Sequence, residues 1–226
     1  MRILLATPTR GRPALFREMV RTARSTATHP ELLHIVGRID LDDRFRGGYL
    51  TERGYTLLQG ERVLLPVAWN EIASTYRYDI LMMAADDLRF RTTGWDDDVV
   101  RAFEQWPDGI GLVYADDGIH GRKAATHSFV TRKWIDAVGY YLPPTLTGDF
   151  VDNWLMCLAE GVGRRAYLDR TYIEHRHPIA NKAKWDETYK YRQDPAGRAQ
   201  AGEAWEAVLA SGEVQAAIEK LRGVMN

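Results

Sequence analysis

Short apolar runs alternate along the chain with longer segments in which apolar residues recur every three or four positions. The runs predict buried strands, and the longer segments predict amphipathic helices. The predicted strands are residues 2–7, 32–39, 62–65, 79–84, 110–114, 165–168 and 172–175. One predicted helix begins at Pro13, a favourable first-turn residue, and the others cover residues 67–76, 95–106, 131–138, 149–160 and 196–221. The charged, glycine-rich stretch 41–53 predicts a loop.

Strands that alternate with helices indicate an α/β fold, a Rossmann-like three-layer α/β/α sandwich with a mostly parallel sheet. The last helical stretch follows the final strand and predicts a C-terminal helical extension outside the sheet. A length of 226 residues favours one domain. Ligands of such sheets bind in the crevice beyond the carboxyl ends of the strands. The residues just after each strand are therefore the candidates for chemistry.

The composition narrows the classes of function. Hydrophobic residues make up 45% and charged residues 27%, so the chain can bury a substantial core. A formal net charge of −1 gives no whole-protein attraction to nucleic acid or to an anionic membrane. No apolar run approaches the roughly 20 residues that cross a bilayer, and the apolar opening is too short for a signal peptide. The single cysteine, Cys157, cannot form an internal disulfide, so we expect a cytoplasmic setting.

Carboxylates follow three of the predicted strands: Asp40, the pair Asp86-Asp87 and the pair Asp116-Asp117. Each alone is compatible with a turn, since aspartate favours turns and helix caps. Three such strand ends along one edge repel each other unless a cation or hydrogen-bond donors compensate. Carboxylate oxygens are the ligands that Mg²⁺ and Mn²⁺ prefer, and these ions often bridge protein and phosphate oxygens. The edge is therefore a candidate metal and phosphate site.

Four segments occur in an order that is more specific than any one of them. They are residues 6–13 (Ala-Thr-Pro-Thr-Arg-Gly-Arg-Pro), 38–40 (Arg-Ile-Asp), 69–71 (Trp-Asn-Glu) and 80–87 (Ile-Leu-Met-Met-Ala-Ala-Asp-Asp), the last followed by Gly94-Trp95. This series resembles the family 2-like GT-A glycosyltransferases of the bacterial and bacteriophage type. In that family the segments correspond to the turn after the first strand, the nucleoside-contacting aspartate, the donor-site helix and the metal-binding Asp-x-Asp. The resemblance runs from residue 1 to about residue 178.

The resemblance implies a GT-A-like nucleotide-sugar-binding catalytic domain at residues 1–180, with residues 181–226 as a helical extension packed on the same domain. It implies metal-dependent transfer of a sugar from a nucleotide-sugar donor, expected to be a UDP-sugar, to an acceptor hydroxyl with inversion. The acceptor is left open among a glycan, a lipid, a protein and a modified DNA base. We expect a monomer or homodimer, in the host cytoplasm if the protein is viral.

Residue roles follow from the resemblance together with side-chain chemistry. The expected donor-binding residues are Thr7, Pro8, Thr9, Arg10, Arg12, Asp40, Asn70, Asp86 and Asp116. The two arginines are included because guanidinium groups match phosphate oxygens. Asp87 is the expected ligand of Mn²⁺ or Mg²⁺. Ala85 stands where a strict Asp-x-Asp has its first aspartate, so the adjacent pair must do that work.

A histidine pair near the end of the last predicted strand is the second part of the expected metal site. The resemblance implies that a histidine here completes the site, and His175 and His177 point the same way if the strand continues. Neutral imidazole is a ligand that suits Mn²⁺. The alternative is an ordinary packed or exposed histidine. Zinc is not supported, because no cysteine pair or His-Glu-x-x-His occurs.

The catalytic base is expected at the start of the helix that begins near residue 149. Residues 147–154 resemble the family segment that heads the acceptor-site helix, which implies Asp152 as base, with Asp149 second. These residues are three apart, so both can face one cleft, and a carboxylate can remove the acceptor proton. The alternative is helix capping. Residues 118–123 are expected to act as a lid, and Arg44 and Arg46 are further candidates to reach the diphosphate.

Two other functions stay open at this point. A nucleotidyltransferase would also gather carboxylates beside a nucleotide, but the chain has no glycine-rich loop of the Walker type. A non-catalytic module that binds a nucleotide sugar could keep the same fold. Ala85 favours that second alternative, whereas the predicted base argues against it.

Overall fold

The computed structural model describes residues 1–50 and 53–226, and the backbone alone of residues 191 and 192. The strands are β1 (Ile3–Pro8), β2 (Leu33–Asp40), β3 (Thr56–Gly60), β4 (Ile80–Met83), β5 (Leu88–Phe90), β6 (Leu112–Asp116), β7 (Phe129–Thr131) and β8 (Arg165–His175). The α-helices are α1 (Pro13–Thr26), α2 (Leu65–Thr75), α3 (Trp95–Phe103), α4 (Arg132–Val138), α5 (Val151–Val162), α6 (Glu187–Arg192), α7 (Pro195–Ala210) and α8 (Glu213–Arg222).

The strands form one sheet in the order β3-β2-β1-β4-β7-β6-β8-β5. Neighbours β3-β2, β2-β1, β1-β4 and β6-β8 are parallel, while β7 is antiparallel to β4 and β6, and β5 is antiparallel to β8. The carboxyl ends of β1, β2, β4 and β6 therefore meet at one edge. This edge carries the candidate site.

Two apolar layers sandwich the sheet. Because side chains alternate along a strand, Leu4 and Leu81 point into a core with α2, α4, α5, α7 and α8. Their neighbours Ile3 and Ile80 point into a core with α1 and α3. The predicted three-layer α/β/α architecture with a mostly parallel sheet is confirmed.

Several predicted boundaries were wrong. Residues 62–64 form no strand, and Pro66 lies in the first turn of α2, so this apolar stretch leads into a helix. The strand at the edge of the sheet beside β2 is β3 instead. The sequence did not predict β5 and β7. The two predicted strands at 165–175 form β8, whose pairing with β6 is irregular beside Asp116. The predicted loop 41–53 contains a turn of 3₁₀ helix, Arg46–Tyr49, and its residues 51 and 52 lie outside the described residues.

The C-terminal helices pack on the core. Leu221 of α8 is buried in the core, where α8 packs against α4 and α5, and Trp205 of α7 is buried in the same core. The Trp205 ring also stacks on Phe150, with 6.0 Å between centroids and 2° between planes. Phe150 precedes α5 and has a φ of 64°, which is uncommon for a non-glycine residue. Among the described residues, no helix is long and apolar enough to cross a membrane.

Candidate active site

The turn after β1 brings two donors to the carboxyl edge of the sheet. Gly11 takes a left-handed φ of 72°, and its N–H donates to Asp43 at 2.8 Å. The next N–H, that of Arg12, donates to the buried hydroxyl of Tyr49 at 2.9 Å. These anchors turn the chain sharply, so that Thr9 and Arg12 both point across β1 toward the end of β4.

Asp86 lies beneath these two donors. Its Oδ2 accepts from the Thr9 hydroxyl at 2.7 Å, and its Oδ1 accepts from Arg12 Nη1 at 3.2 Å. Burial, together with the neighbouring charge of Asp87, raises the pKa of Asp86 to about 6, against the opposing effect of Arg12. Both oxygens of Asp86 therefore already accept hydrogen bonds from protein side chains.

Asp87 keeps one oxygen without a hydrogen-bond partner. Its Oδ2 accepts from the Tyr189 hydroxyl and lies 3.5 Å from Arg12 Nη1. Its Oδ1 is buried, has no hydrogen-bond partner among the residues that the structure describes, and lies 3.6 Å from Nε2 of His175. Burial opposes ionisation, but the His175 ring and the Tyr189 hydroxyl hold the pKa of Asp87 well below its ordinary value. The free oxygen is therefore that of an ionised carboxylate.

Three histidine rings line the same side of the site. His175 ends β8, and its ring centroid lies 4.7 Å from that of His127 and 5.2 Å from that of His177. Burial and the neighbouring His175 lower the pKa of His127 to about 3. His127 Nδ1 donates to the Met83 carbonyl at 3.3 Å, which leaves Nε2 as a buried acceptor with no partner in the described part of the chain. His177 Nδ1 accepts from the N–H of Ile179 at 3.1 Å.

Residues after β8 cover Arg12. Asp186 accepts from its Nε at 2.8 Å and from its Nη2 at 2.7 Å, a bidentate ion pair. The Tyr189 ring stacks on the same guanidinium, with 4.2 Å from the Arg12 Cζ to the ring centroid. Arg12 is thereby only 9% exposed. Asp186, just before α6, thus contacts the turn after β1 from 174 positions away. Tyr189 of α6 contacts the end of β4 through Asp87, which is 102 positions away.

Asp40, at the end of β2, is also compensated internally. Its Oδ1 accepts from Arg38 at 2.6 Å and its Oδ2 accepts from Arg10 at 2.8 Å. Arg10 also binds Asp42, so it points toward the β2 loop rather than toward Asp86. Arginines and hydroxyls thus offset the charges at the edge, which is the compensation by hydrogen-bond donors that the sequence left open beside a cation. The case for a metal rests on the free oxygen of Asp87.

The strand end at β6 presents its second aspartate to the interior. Asp116 Oδ1 accepts from the N–H of Gly118 at 2.9 Å, the turn contact that was the alternative reading. Asp117 is buried and accepts from His120 Nδ1 at 2.8 Å and from the hydroxyl of Thr126 at 3.0 Å. The predicted lid, residues 118–123, is therefore held by Asp117, and Asp116 is directed into a turn.

The remaining predicted residues are spread around the edge. Thr7 is fully buried in β1, and Pro8 ends that strand. The Asn70 side chain bonds the backbone of Tyr141 and Leu142, which commits its polar atoms to the fold. Asp152 lies in the first turn of α5 and accepts from the N–H of Asn153 at 3.1 Å.

Asp149 and the two loop arginines complete the predicted set. Asp149 precedes Phe150, beside Gly148, where an added Cβ would meet Leu65 at the start of α2. Arg44 lies 3.2 Å from the exposed Glu187 of α6, and Arg46 faces the Leu41 carbonyl at 3.5 Å. Arg44 thus contacts the covering residues and not the Asp86-Asp87 pair.

Asp87 and His175 fit a divalent ion. A separation of 3.6 Å between Oδ1 and Nε2 can be spanned by two ligands that each bond one ion at about 2.1 Å. Within residues 1–50 and 53–226, no three His, Cys, Asp or Glu side chains are arranged to hold a metal. A carboxylate oxygen and an imidazole nitrogen are ligands that suit Mn²⁺, and Mg²⁺ is commonly held by one or two protein carboxylates plus phosphate and water oxygens.

Sequence reasoning missed three residues of this site. His127 is a lone histidine before a three-residue strand, with no motif around it. Asp186 and Tyr189 lie in a segment that was assigned only to the helical extension. The one available signal was the aromatic pair Trp185 and Tyr189 close behind the His175-x-His177 motif, since aromatic rings often flank ligands.

Comparison with known proteins gives a fold and no close relative. No family model matches the chain, and no curated protein matches it. The mannosyltransferase PcManGT from Pyrobaculum calidifontis, in complex with GDP-Man and Mn²⁺, matches with a TM-score of 0.61 at 15% identity, over 93% of this chain and 76% of that one. S. aureus TarS 1–349 in complex with UDP-GlcNAc matches with 0.61 at 10% identity, over 84% and 64%. A mycobacterial protein matches with 0.57 at 15% identity, over 80% and 70%.

These likenesses show the fold alone. This chain has a GT-A-like fold, as the resemblance in its motifs predicted. The chain spans 36% of the longer TarS structure and 83% of TarS 1–349.

Proposed function

We propose that this protein is a glycosyltransferase that moves a sugar from a nucleoside diphosphate donor to an acceptor hydroxyl. The observation that carries the proposal is the end of β4, where Asp87 keeps a free ionised oxygen 3.6 Å from His175 while Arg12 lies over the Asp86-Asp87 pair. An arginine beside a carboxylate with a free oxygen is the arrangement that a diphosphate and a divalent ion need. The fold is shared with proteins whose structures hold GDP-Man, UDP and UDP-GlcNAc, which supports this class of donor.

In this proposal Asp87 and His175 hold the ion, and Arg12 binds the diphosphate. Bound Mn²⁺ or Mg²⁺ would supply positive charge that offsets the charge of the departing nucleoside diphosphate. Thr9 and Tyr49 keep Asp86 and Arg12 in position, since both hydroxyls are buried and hydrogen-bonded to this turn. Asp40, held by Arg10 and Arg38, would contact the nucleoside. A UDP-sugar is our first choice of donor.

The acceptor side of the proposal rests on α5. Asp152, in the first turn of this helix, would accept the proton of the acceptor hydroxyl as that oxygen attacks the sugar, with Asp149 as the second candidate. A carboxylate that acts as base in a single displacement gives inversion at the sugar carbon. Solvent can reach Asp152, so an acceptor can approach it.

A nucleotide-sugar screen tests the proposal. The protein is incubated with UDP- and GDP-sugars with and without Mn²⁺, and thermal shift, sugar release and pyrophosphate release are measured. We expect stabilisation by one nucleotide in the presence of Mn²⁺, by RT ln(1 + [L]/Kd), together with slow release of free sugar. Pyrophosphate release would indicate a nucleotidyltransferase instead. Tight binding without any sugar release, even with candidate acceptors, would indicate a binding module.

A further inference from the structure

The residues that cover the site make the contacts that a donor would need. We define the covering segment as residues 182–190. Its Asp186 carboxylate binds two nitrogens of Arg12, and its Tyr189 hydroxyl binds Asp87 Oδ2. The remaining Arg12 nitrogen faces Asp86 and Asp87. All three nitrogens of the guanidinium are therefore engaged, and a phosphate can form a bidentate pair with Nε and Nη2 of Arg12 only after Asp186 leaves.

The Asp186 carboxylate resembles a phosphate in the way it binds. Arginine binds both carboxylate and phosphate through two parallel N–H bonds, so the two anions compete for the same nitrogens. Tyr189 likewise uses the carboxylate of Asp87, the residue we assign to the ion. The covering segment thus bonds both the arginine proposed to bind the diphosphate and the aspartate proposed to bind the ion.

Lys182 anchors the start of the covering segment, because its Nζ donates to Tyr172 and to the Gly118 carbonyl and its own carbonyl accepts from Arg176. Beyond Lys182 the segment makes fewer contacts with the rest of the protein. Tyr189 is its one buried residue, and Trp185 is 47% exposed. Helix α6 has six residues, too short to be stable without tertiary contacts. The ion pair between Glu187 and Arg44 is exposed on both sides and contributes little. Residues 183–190 are therefore kept in place by the contacts with Arg12 and Asp87 together with the packing of Trp185 and Tyr189 on the His177 ring.

We propose that the covering segment is a built-in competitor of the donor, in which Asp186 occupies the place of the diphosphate and Tyr189 restrains the metal ligand. This inference rests on the proposed function, because it concerns the same site. Donor and ion must displace residues 182–190, and the measured affinity equals the intrinsic affinity reduced by the fraction of molecules in which the segment is open. A partner or acceptor that draws the segment away would therefore activate the enzyme.

The variant Asp186→Asn tests the competition without disturbing the helix. Asp186 Oδ1 also accepts from the N–H of Tyr189 at 3.0 Å, and asparagine keeps such a cap while losing the charge. Calorimetric titration with UDP, GDP and inorganic pyrophosphate, each with Mn²⁺, should show binding about tenfold tighter than in the wild type. Tyr189→Phe keeps the ring over Arg12 and should tighten Mn²⁺ binding several-fold. Glu187→Gln, the adjacent carboxylate on an exposed arginine, should change neither affinity.

Hydrogen exchange of the covering segment gives a second readout. UDP with Mn²⁺ should increase amide exchange in residues 182–190 of the wild type, because the segment is displaced. Slower exchange on binding, or weaker binding by Asp186→Asn, would overturn the inference, since the segment would then close over the donor and assist it. If the wild type and every variant bind no nucleotide or pyrophosphate, the proposed function fails as well. If the wild type binds nucleotide and Asp186→Asn binds it no more tightly, this inference is wrong while the proposed function stands.

Discussion

Replacing Arg12 by methionine should cost about 3–5 kcal/mol of unfolding free energy, the usual effect of removing one partner from a buried ion pair. Nη1 of Arg12 lies 3.2 Å from Asp86 and 3.5 Å from Asp87, and all three side chains are less than a tenth exposed. Methionine preserves the apolar stem but leaves two buried carboxylates facing each other. The pair with Asp186 adds less, at most about 1 kcal/mol, because that carboxylate is 39% exposed.

Urea unfolding near pH 7, followed by the fluorescence of the seven tryptophans, measures this loss. Arg10→Met is the matched control, since its arginine also binds two aspartates but is 37% exposed, and it should lose less than about 1 kcal/mol. Adding Asp86→Asn to Arg12→Met should recover more than about 1 kcal/mol, because the uncompensated charge is gone. Equal losses for the two arginines, or no recovery in the double variant, would refute the reasoning.

Four further outcomes are expected. Asp152→Asn should leave UDP affinity within about twofold but lower sugar transfer by about a hundredfold or more, as measured by product formation. His175→Gln should weaken Mn²⁺ binding, measured by calorimetry, by about tenfold or more. Loss of a residue that only supports a metal ligand already has an effect of that size. Since the pKa of Asp86 rises from 3.8 to about 6 on folding, the folded state binds this proton more tightly. The free energy of unfolding of the wild type, relative to Asp86→Asn, should therefore fall as the pH rises from about 4 to about 6, and stay level above that. Gly111→Ala should reduce the free energy of unfolding by about 1–3 kcal/mol, seen as a lower melting temperature, because the added Cβ would overlap the Trp106 ring.

Apolar periodicity predicted the elements that bury the most surface. β1 and β4 are continuous apolar runs because helices cover both faces of the sheet. The edge strand β3 was missed because its side chains are only partly buried, so its sequence carries little contrast. β5 and β7 have three residues each, too few to show a period of two.

Some residues of the site carry a local sequence signal, whereas other features depend on contacts between distant parts of the chain. The position of the Asp86-Asp87 pair was predictable because it follows a strand, and parallel strand ends meet at one edge. His175, the last residue of β8, was singled out by the family resemblance. The compensation of the carboxylates was not predictable from charge counting, because it depends on which arginine turns toward which aspartate. Arg12 turns inward to Asp86, whereas Arg10, two positions earlier, turns outward. No local pattern reveals that choice or the return of Tyr189 to the end of β4.

The stacking of Phe150 on Trp205 links α7 to the start of α5, where we propose that the acceptor binds. A left-handed φ at Phe150 costs roughly 1–3 kcal/mol and persists only where surrounding contacts impose it. The indole that lies flat against its ring comes from α7, which a ribosome completes after every strand of the sheet. During synthesis the sheet can therefore assemble while the first turn of α5 still lacks its final geometry. Formation of this contact is therefore a late step, which follows the synthesis of Trp205.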